Sequence, residues 1–226
     1  IDGVPLNDNE SHQVYWVDHG DLLSDVEDIQ IQRGIGTNLY GSLSFGGSIN
    51  ATTQIRSVSR KIQVMHGRGN WNTKQYRFKY LSGKDFGEKT SFAFRSSAID
   101  SDGYRKEHGS MQRSAFIGFE HRGDIVKNQL RAIIGYENTQ LTWDGISKED
   151  IEDNEKRRMG YKAYTDDFLQ QIYSLNSTMT LNNNLSFRNV SYLVIGKGYY
   201  EVFKQDQDLY SYNLDINNVF TDAEEQ

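Results

Sequence analysis

Residues Ile29 to Thr53 read IQIQRGIGTNLYGSLSFGGSINATT, and the stretch changes character halfway. Ile29 and Ile31 alternate with Gln30 and Gln32, as in a short strand, and then five glycines fall between Gly34 and Gly47. That density of glycine bends the backbone through conformations other residues avoid, or lets it approach another surface closely. Leu39, Tyr40, Leu43, Phe45 and Ile49 sit between the glycines, and a linker has no use for such side chains. A tightly packed segment is expected, with the chain on either side of it obeying different rules.

Downstream the rule is alternation. Tyr76, Phe78 and Tyr80 alternate with Gln75, Arg77 and Lys79, and Phe92 and Phe94 with Ser91, Ala93 and Arg95. Leu130, Ala132, Ile134 and Tyr136 oppose Arg131, Ile133, Gly135 and Glu137. The period is two, which predicts strands with one apolar and one polar face. About eight are expected, near residues 55–66, 74–82, 89–99, 110–121, 126–142, 168–181, 185–197 and 208–220. Those at 111–120 and 185–196 carry apolar residues of both parities. Tight connections near residues 82–87, 122–124 and 182–184 alternate with longer ones at 100–109 and 143–167. Loop length sorted by side is the habit of an outer-membrane barrel, and strands of ten residues suit a tilted membrane strand of roughly 9–11.

Upstream, residues 7–20 read as an exposed loop rich in turn formers, and Asp21 to Asp28 as a short helix with Asp21 as N-cap. Ile29 to Arg33 follows as a strand, which makes the N-terminal part a small α/β unit. Ile1-Asp2-Gly3-Val4-Pro5 looks like the end of a strand entering a turn, and Ile1 is not Met, so a longer protein is expected. Fourteen Tyr, eleven Phe and three Trp against one Pro and no Cys describe a strand-rich chain without disulfides or thiolate metal sites. A net charge of −6 without a basic stripe speaks against nucleic acid as a partner. No apolar run approaches the roughly 18 residues of a spanning helix, while alternating barrel strands average out as polar.

Ile1-Asp-Gly-Val-Pro-Leu-Asn7, Ile31-Gln-Arg-Gly34, Leu39-Tyr-Gly41 and Phe45-Gly-Gly-Ser-Ile-Asn50 with Thr52-Thr53 together resemble the second half of the plug of TonB-dependent outer-membrane receptors. Trp143-Asp-Gly145 and Gly196-Lys-Gly-Tyr-Tyr-Glu201 resemble barrel segments of the same family, particularly of the Bacteroidetes type. The resemblance covers essentially the whole chain. It implies an all-β transmembrane antiparallel barrel, present in part as about eight of roughly 22 strands, with part of a small α/β plug. Residues 1–54 would be the C-terminal half of the plug and residues 55–226 the N-terminal barrel strands.

The implied function is TonB-dependent uptake of a scarce nutrient such as a ferric siderophore, cobalamin or glycan. The implied partners are TonB, through an upstream segment, a small-molecule or metal-chelate ligand, outer-membrane lipid, and a surface lipoprotein or other envelope protein. In the family the loop after the DGVP-like strand rises to the plug apex, which makes Asn9, Glu10, Ser11, His12, Gln13, Tyr15 and Trp16 candidate ligand contacts. Their hydrogen-bonding and stacking surfaces suit that role, and packing of Tyr15 and Trp16 against the wall is the plainer reading. Arg33 is expected to pair with acidic groups of the barrel interior.

His12 and His19 with Asp18 and Asp21 fit no compact ligand spacing, so no metal is expected. The acids between residues 143 and 167 are interrupted by Lys148, Lys156, Arg157 and Arg158, as in a solvated loop. Tyr199, Tyr200 and Phe203 suit an aromatic girdle. No nucleophile or phosphate-loop constellation is present, so neither an enzyme nor a cofactor is expected. The rival reading is a soluble or surface-attached β-rich binding or adhesion module without transport activity.

Overall fold

A computed structural model describes residues 1–8, 10–34, 46–141, 145–159, 164–202 and 212. Two sheets account for its strands. β1 (Val26–Arg33) and β2 (Gly47–Thr53) form a two-stranded antiparallel sheet that pairs Ile31 with Ile49 and Arg33 with Gly47. The seven others are β3 (Lys61–Arg68), β4 (Lys74–Leu81), β5 (Thr90–Ser101), β6 (Ser110–Arg122), β7 (Val126–Gln140), β8 (Thr165–Asn182) and β9 (Leu185–Glu201). Each pairs antiparallel with its sequence neighbour. β3 and β9 do not pair with one another, so this wall is an open sheet.

The alternation places one side chain set on each face, and the polarity of the faces is the reverse of a soluble sheet's. Arg77, Lys79, Arg95, Ser114, Glu120, Arg131, Glu137 and Asn176 point inward, towards residues 1–55, and most are buried. Ile62, Val64, Phe78, Ile117, Phe119, Leu130, Leu175, Leu193 and Ile195 point outward and are exposed, Val64 by 78%. At the ends of the outward face the polar residues return: Thr90 meets His121 at one rim, and Arg113 pairs with Asp100 at the other, 2.8 Å apart. The mixed parity of β6 and β9 has a local cause. Phe116 faces inward into a small apolar core with Ile1, Val4, Leu22, Ile55, Leu81, Ala93, Ile133 and Ile172, while Ile117 and Phe119 face out.

Residues 82–89, 123–125 and 183–184 connect strands at one end of the wall, and residues 69–73, 102–109 and 141–164 at the other. The last group is packed together. Trp71 and Tyr104 meet edge to face at 5.1 Å, Arg158 lies 5.0 Å over the Trp71 ring, and Lys106 pairs with Glu155 beside a one-turn helix, α1 (Asn154–Arg157).

Three local expectations change. The strand expected over 55–66 begins only at Lys61, because Ile55 is fully seated on Gly118 of β6 and Arg56 is held by Glu120 at 2.9 Å. The helix expected over Asp21–Asp28 is a 3-10 turn, Leu22–Asp25, followed at once by β1. Asp21 has φ +57° and caps no backbone N–H, since its carboxylate is taken by side chains of the wall. Ile29, Ile31 and Ile49 are exposed on the small sheet, and the remaining apolar residues of the glycine-rich stretch lie outside the described residues, as does the strand expected over 208–220.

Candidate ligand cavity

The N-terminal segment is fixed to the inward face by buried charge. Arg95, fully buried, donates from Nε to Asp25 at 2.7 Å and from Nη1 to Ser114 at 2.6 Å. Arg77 Nε and Ser97 Oγ both donate to Asp21, at 2.7 and 2.6 Å, and Lys79 donates to the Ser24 carbonyl at 2.7 Å. Asp2 accepts from the Thr53 amide and hydroxyl and pairs with Arg131 at 3.2 Å, while its carbonyl accepts from Asn176. Burial works to raise the Asp21 carboxyl, but the hydrogen bonds from Arg77, Ser24 and Ser97 outweigh it and hold it below the ordinary range. At Asp25 burial prevails over Arg95 and Lys79, and the carboxyl is raised.

These anchors set the height of the first 3-10 turn, Trp16–His19, against β7. A Cβ on Gly135 would stand 2.3 Å from the Asp18 carbonyl oxygen, so only glycine lets this turn lie on the wall. Asp18 is thereby half buried, and burial together with the Asp166 charge pushes its carboxyl up to about 6. Burial holds the neighbouring His19 down to about 4. Before this turn, Asp8 Oδ1 accepts from the amides of Glu10 and Ser11, His12 closes the bend with φ +58°, and Asn7 donates to the His12 carbonyl.

Between this segment and the long-loop ends of β8 and β9 lies a cavity of about 800 Å³. Tyr15, Phe168, Tyr192 and Tyr200 give it aromatic walls, and Asp8, Asp18, Asp166 and Glu201 give it carboxylates. Phe168 lies flat over β9: a Cβ on Gly196 would stand 2.7 Å, and one on Gly198 2.5 Å, from its ring. This is what the Gly196-Lys-Gly198 spacing is for in the folded chain. Behind Phe168, paired with it across β7 and β8, Glu137 is fully buried, and no hydrogen bond of ordinary geometry reaches either of its oxygens.

Of the candidate contacts read from the sequence, Tyr15 lines this cavity. Glu10, Ser11, His12, Gln13 and Trp16 are exposed on the same segment and do not line it, and Asn9 lies outside the described residues. Arg33 is exposed at the end of β1 and makes no ion pair among the described residues. Asp18, His19, Asp166, Phe168 and Gln170 are cavity residues that sequence reading missed. Gly135 and the Gly196/Gly198 pair were the available signals, since a glycine inside an alternating strand marks close approach. Among the described residues no helix is long and apolar enough to cross a membrane, and no group of three or more His, Asp or Glu is placed to hold a metal.

No family model matches the chain. Over 153 residues it is 26% identical to the vitamin B12 transporter BtuB of three Vibrio cholerae O1 strains, among them El Tor Inaba N16961 and Classical Ogawa 395. The match takes in 63% of this chain and 25% of the relative, so the chain spans about a quarter of the length of the transporters that it is similar to.

Proposed function

We propose that this chain is part of an outer-membrane receptor that imports a scarce nutrient with energy passed through TonB. In this reading residues 1–54 belong to a plug, residues 55–226 to the wall of a barrel of roughly 22 strands, and the outward face meets lipid. The observation that carries it is the reversed polarity of the seven-stranded wall: ionic groups are buried against the N-terminal segment, and an apolar face is turned out between two polar rims. Similarity to vitamin B12 transporters supports cobalamin as one candidate ligand of this reading, which also admits ferric siderophores and glycans. Asn9, Glu10, Ser11, His12, Gln13, Tyr15 and Trp16 stay the proposed ligand contacts, and Arg33 the proposed contact to a part of the wall other than β3–β9. A soluble binding module would leave the outward face without a cover.

The test is recovery and migration. The protein is expected in the detergent-solubilised outer-membrane fraction and to migrate differently on a gel before and after boiling. Recovery as a monodisperse monomer without detergent would sink the proposal.

A further inference from the structure

We infer that the outward face of β3 and β4 binds the phosphate headgroup of a membrane lipid, on Arg68 and Lys74 at the cavity end of the wall. The inference rests on the receptor reading for the contact of this face with lipid. Strand register sorts the cations of the wall by end. Among the described strand residues, the Lys and Arg side chains of the outward set are Arg68, Lys74, Arg113 and Lys197, and all lie in the two rows nearest the cavity end. The row at the opposite rim offers Thr90, His121 and Asn128, while Lys61, Arg122, Lys127 and Arg188 there belong to the inward set. A face that meets fixed anions at one rim only has a reason for that bias.

Arg68 and Lys74 stand directly opposite one another across β3 and β4, and neither has an ion pair among the described residues. Asp100, the neighbour of Lys74 on β5, is taken by Arg113 at 2.8 Å. Like charges directly opposite in an antiparallel pair destabilise it, and an anion seated between them turns that repulsion into attraction. Towards the middle of the wall the same two strands continue with His66 and Tyr76, stacked 4.7 Å apart and 7° from parallel. Val64 and Phe78 follow, apolar and exposed. Charge, amphipathic ring and hydrocarbon surface thus succeed one another along one column, in the order of a phospholipid from headgroup to chains. A free phosphate would use only the first of these, and an acidic protein would meet an apolar band that the bilayer already covers.

The test titrates the intact protein with three probes and counts bound molecules by native mass spectrometry. Dioctanoylphosphatidic acid carries both chains and phosphate, dioctanoylglycerol the chains alone, and glycerol phosphate the phosphate alone. The phosphatidic acid is expected to bind at least about tenfold more tightly than either of the others. Arg68→Gln combined with Lys74→Gln is expected to remove that advantage, and Lys148→Gln, in the long connection, to leave it intact. The two single changes serve should the double variant fail to fold, each expected to weaken the phosphatidic acid about fivefold. Equal binding of the two chain-bearing probes, glycerol phosphate binding as tightly as the lipid, or lipid binding unchanged in these variants would overturn the inference. Heat-modifiable migration together with any of those results removes this inference alone. A preference for phosphatidic acid, lost in the double variant, in a protein recovered without detergent keeps the phosphate site and removes the transport reading.

Discussion

At Asp25 and Arg95 the chain buries a complete ion pair, both side chains at 0% exposure, where a small apolar core meets the wall. Removing one member leaves the other charged, buried and without its partner, which costs about 3–5 kcal/mol. Arg95→Ala is expected to lower stability by that amount, read from the urea midpoint of the detergent-solubilised protein, and Arg95→Met with Asp25→Leu to recover most of it. Asp18 and His19 oppose one another in pH. His19, ordinarily at 6.5 and held at about 4, stays neutral in the fold while the unfolded chain takes up a proton, so its share of stability is lost as pH falls from 6.5 towards 4. Asp18, ordinarily at 3.8 and raised to about 6, takes its proton first in the folded chain, so acid relieves a cost there. Asp18→Asn is therefore expected to be more stable than the parent at pH 7 and to lose stability more steeply between pH 6 and 4, as measured by the temperature of the gel shift at each pH. That Tyr15 would line a cavity was legible because an aromatic in a polar loop stands out. Asp18 was not, since its setting depends on Gly135, far along the chain, and on the distant Asp166.

Among the elements, strands β4, β5 and β7 were open to reading, because their alternation survives folding unchanged: Phe78, Phe94 and Ile134 all face outward. β6 and β9 were harder for a physical reason. Phe116 fills the core and Tyr192 and Val194 line the cavity, so the inward face of these strands is itself partly apolar and the period of two is blurred. The turn after Asp21 was misread as a helix because its acids look like caps in sequence and act as ion-pair partners of Arg77 and Arg95 in the fold. The outward face gives a test specific to its elements. Ile117 stands in the middle of β6, between Phe94 and Ala132, and is 41% exposed. In a bilayer Ile117→Arg places a charge near the midplane and is expected to cost about 2–4 kcal/mol, measured by urea unfolding from liposomes. In a soluble module the same change would leave stability within about 0.5 kcal/mol and improve solubility.

On the scale of the whole molecule, the two ends of the wall differ in construction, and the difference predicts which way it faces. At one end residues 123–125 and 183–184 turn the chain tightly. At the other, where the cavity lies, Trp71 and Tyr104 meet edge to face under Arg158 and Lys106 holds Glu155, so that three connections form one packed cluster. In a receptor the cavity must open to the outside, where the ligand arrives, and outer-membrane barrels place short turns in the periplasm. Absence of cysteine from these 226 residues makes this measurable by single cysteine substitutions, with the parent protein as the labelling control. Lys148→Cys, exposed in the long connection, is expected to react with a membrane-impermeant maleimide on intact cells. Asn183→Cys, in the tight turn, is expected to react only after the outer membrane is permeabilised. The reverse pattern would turn the cavity towards the periplasm, and labelling of both sites on intact cells would place the chain on the cell surface rather than across the membrane.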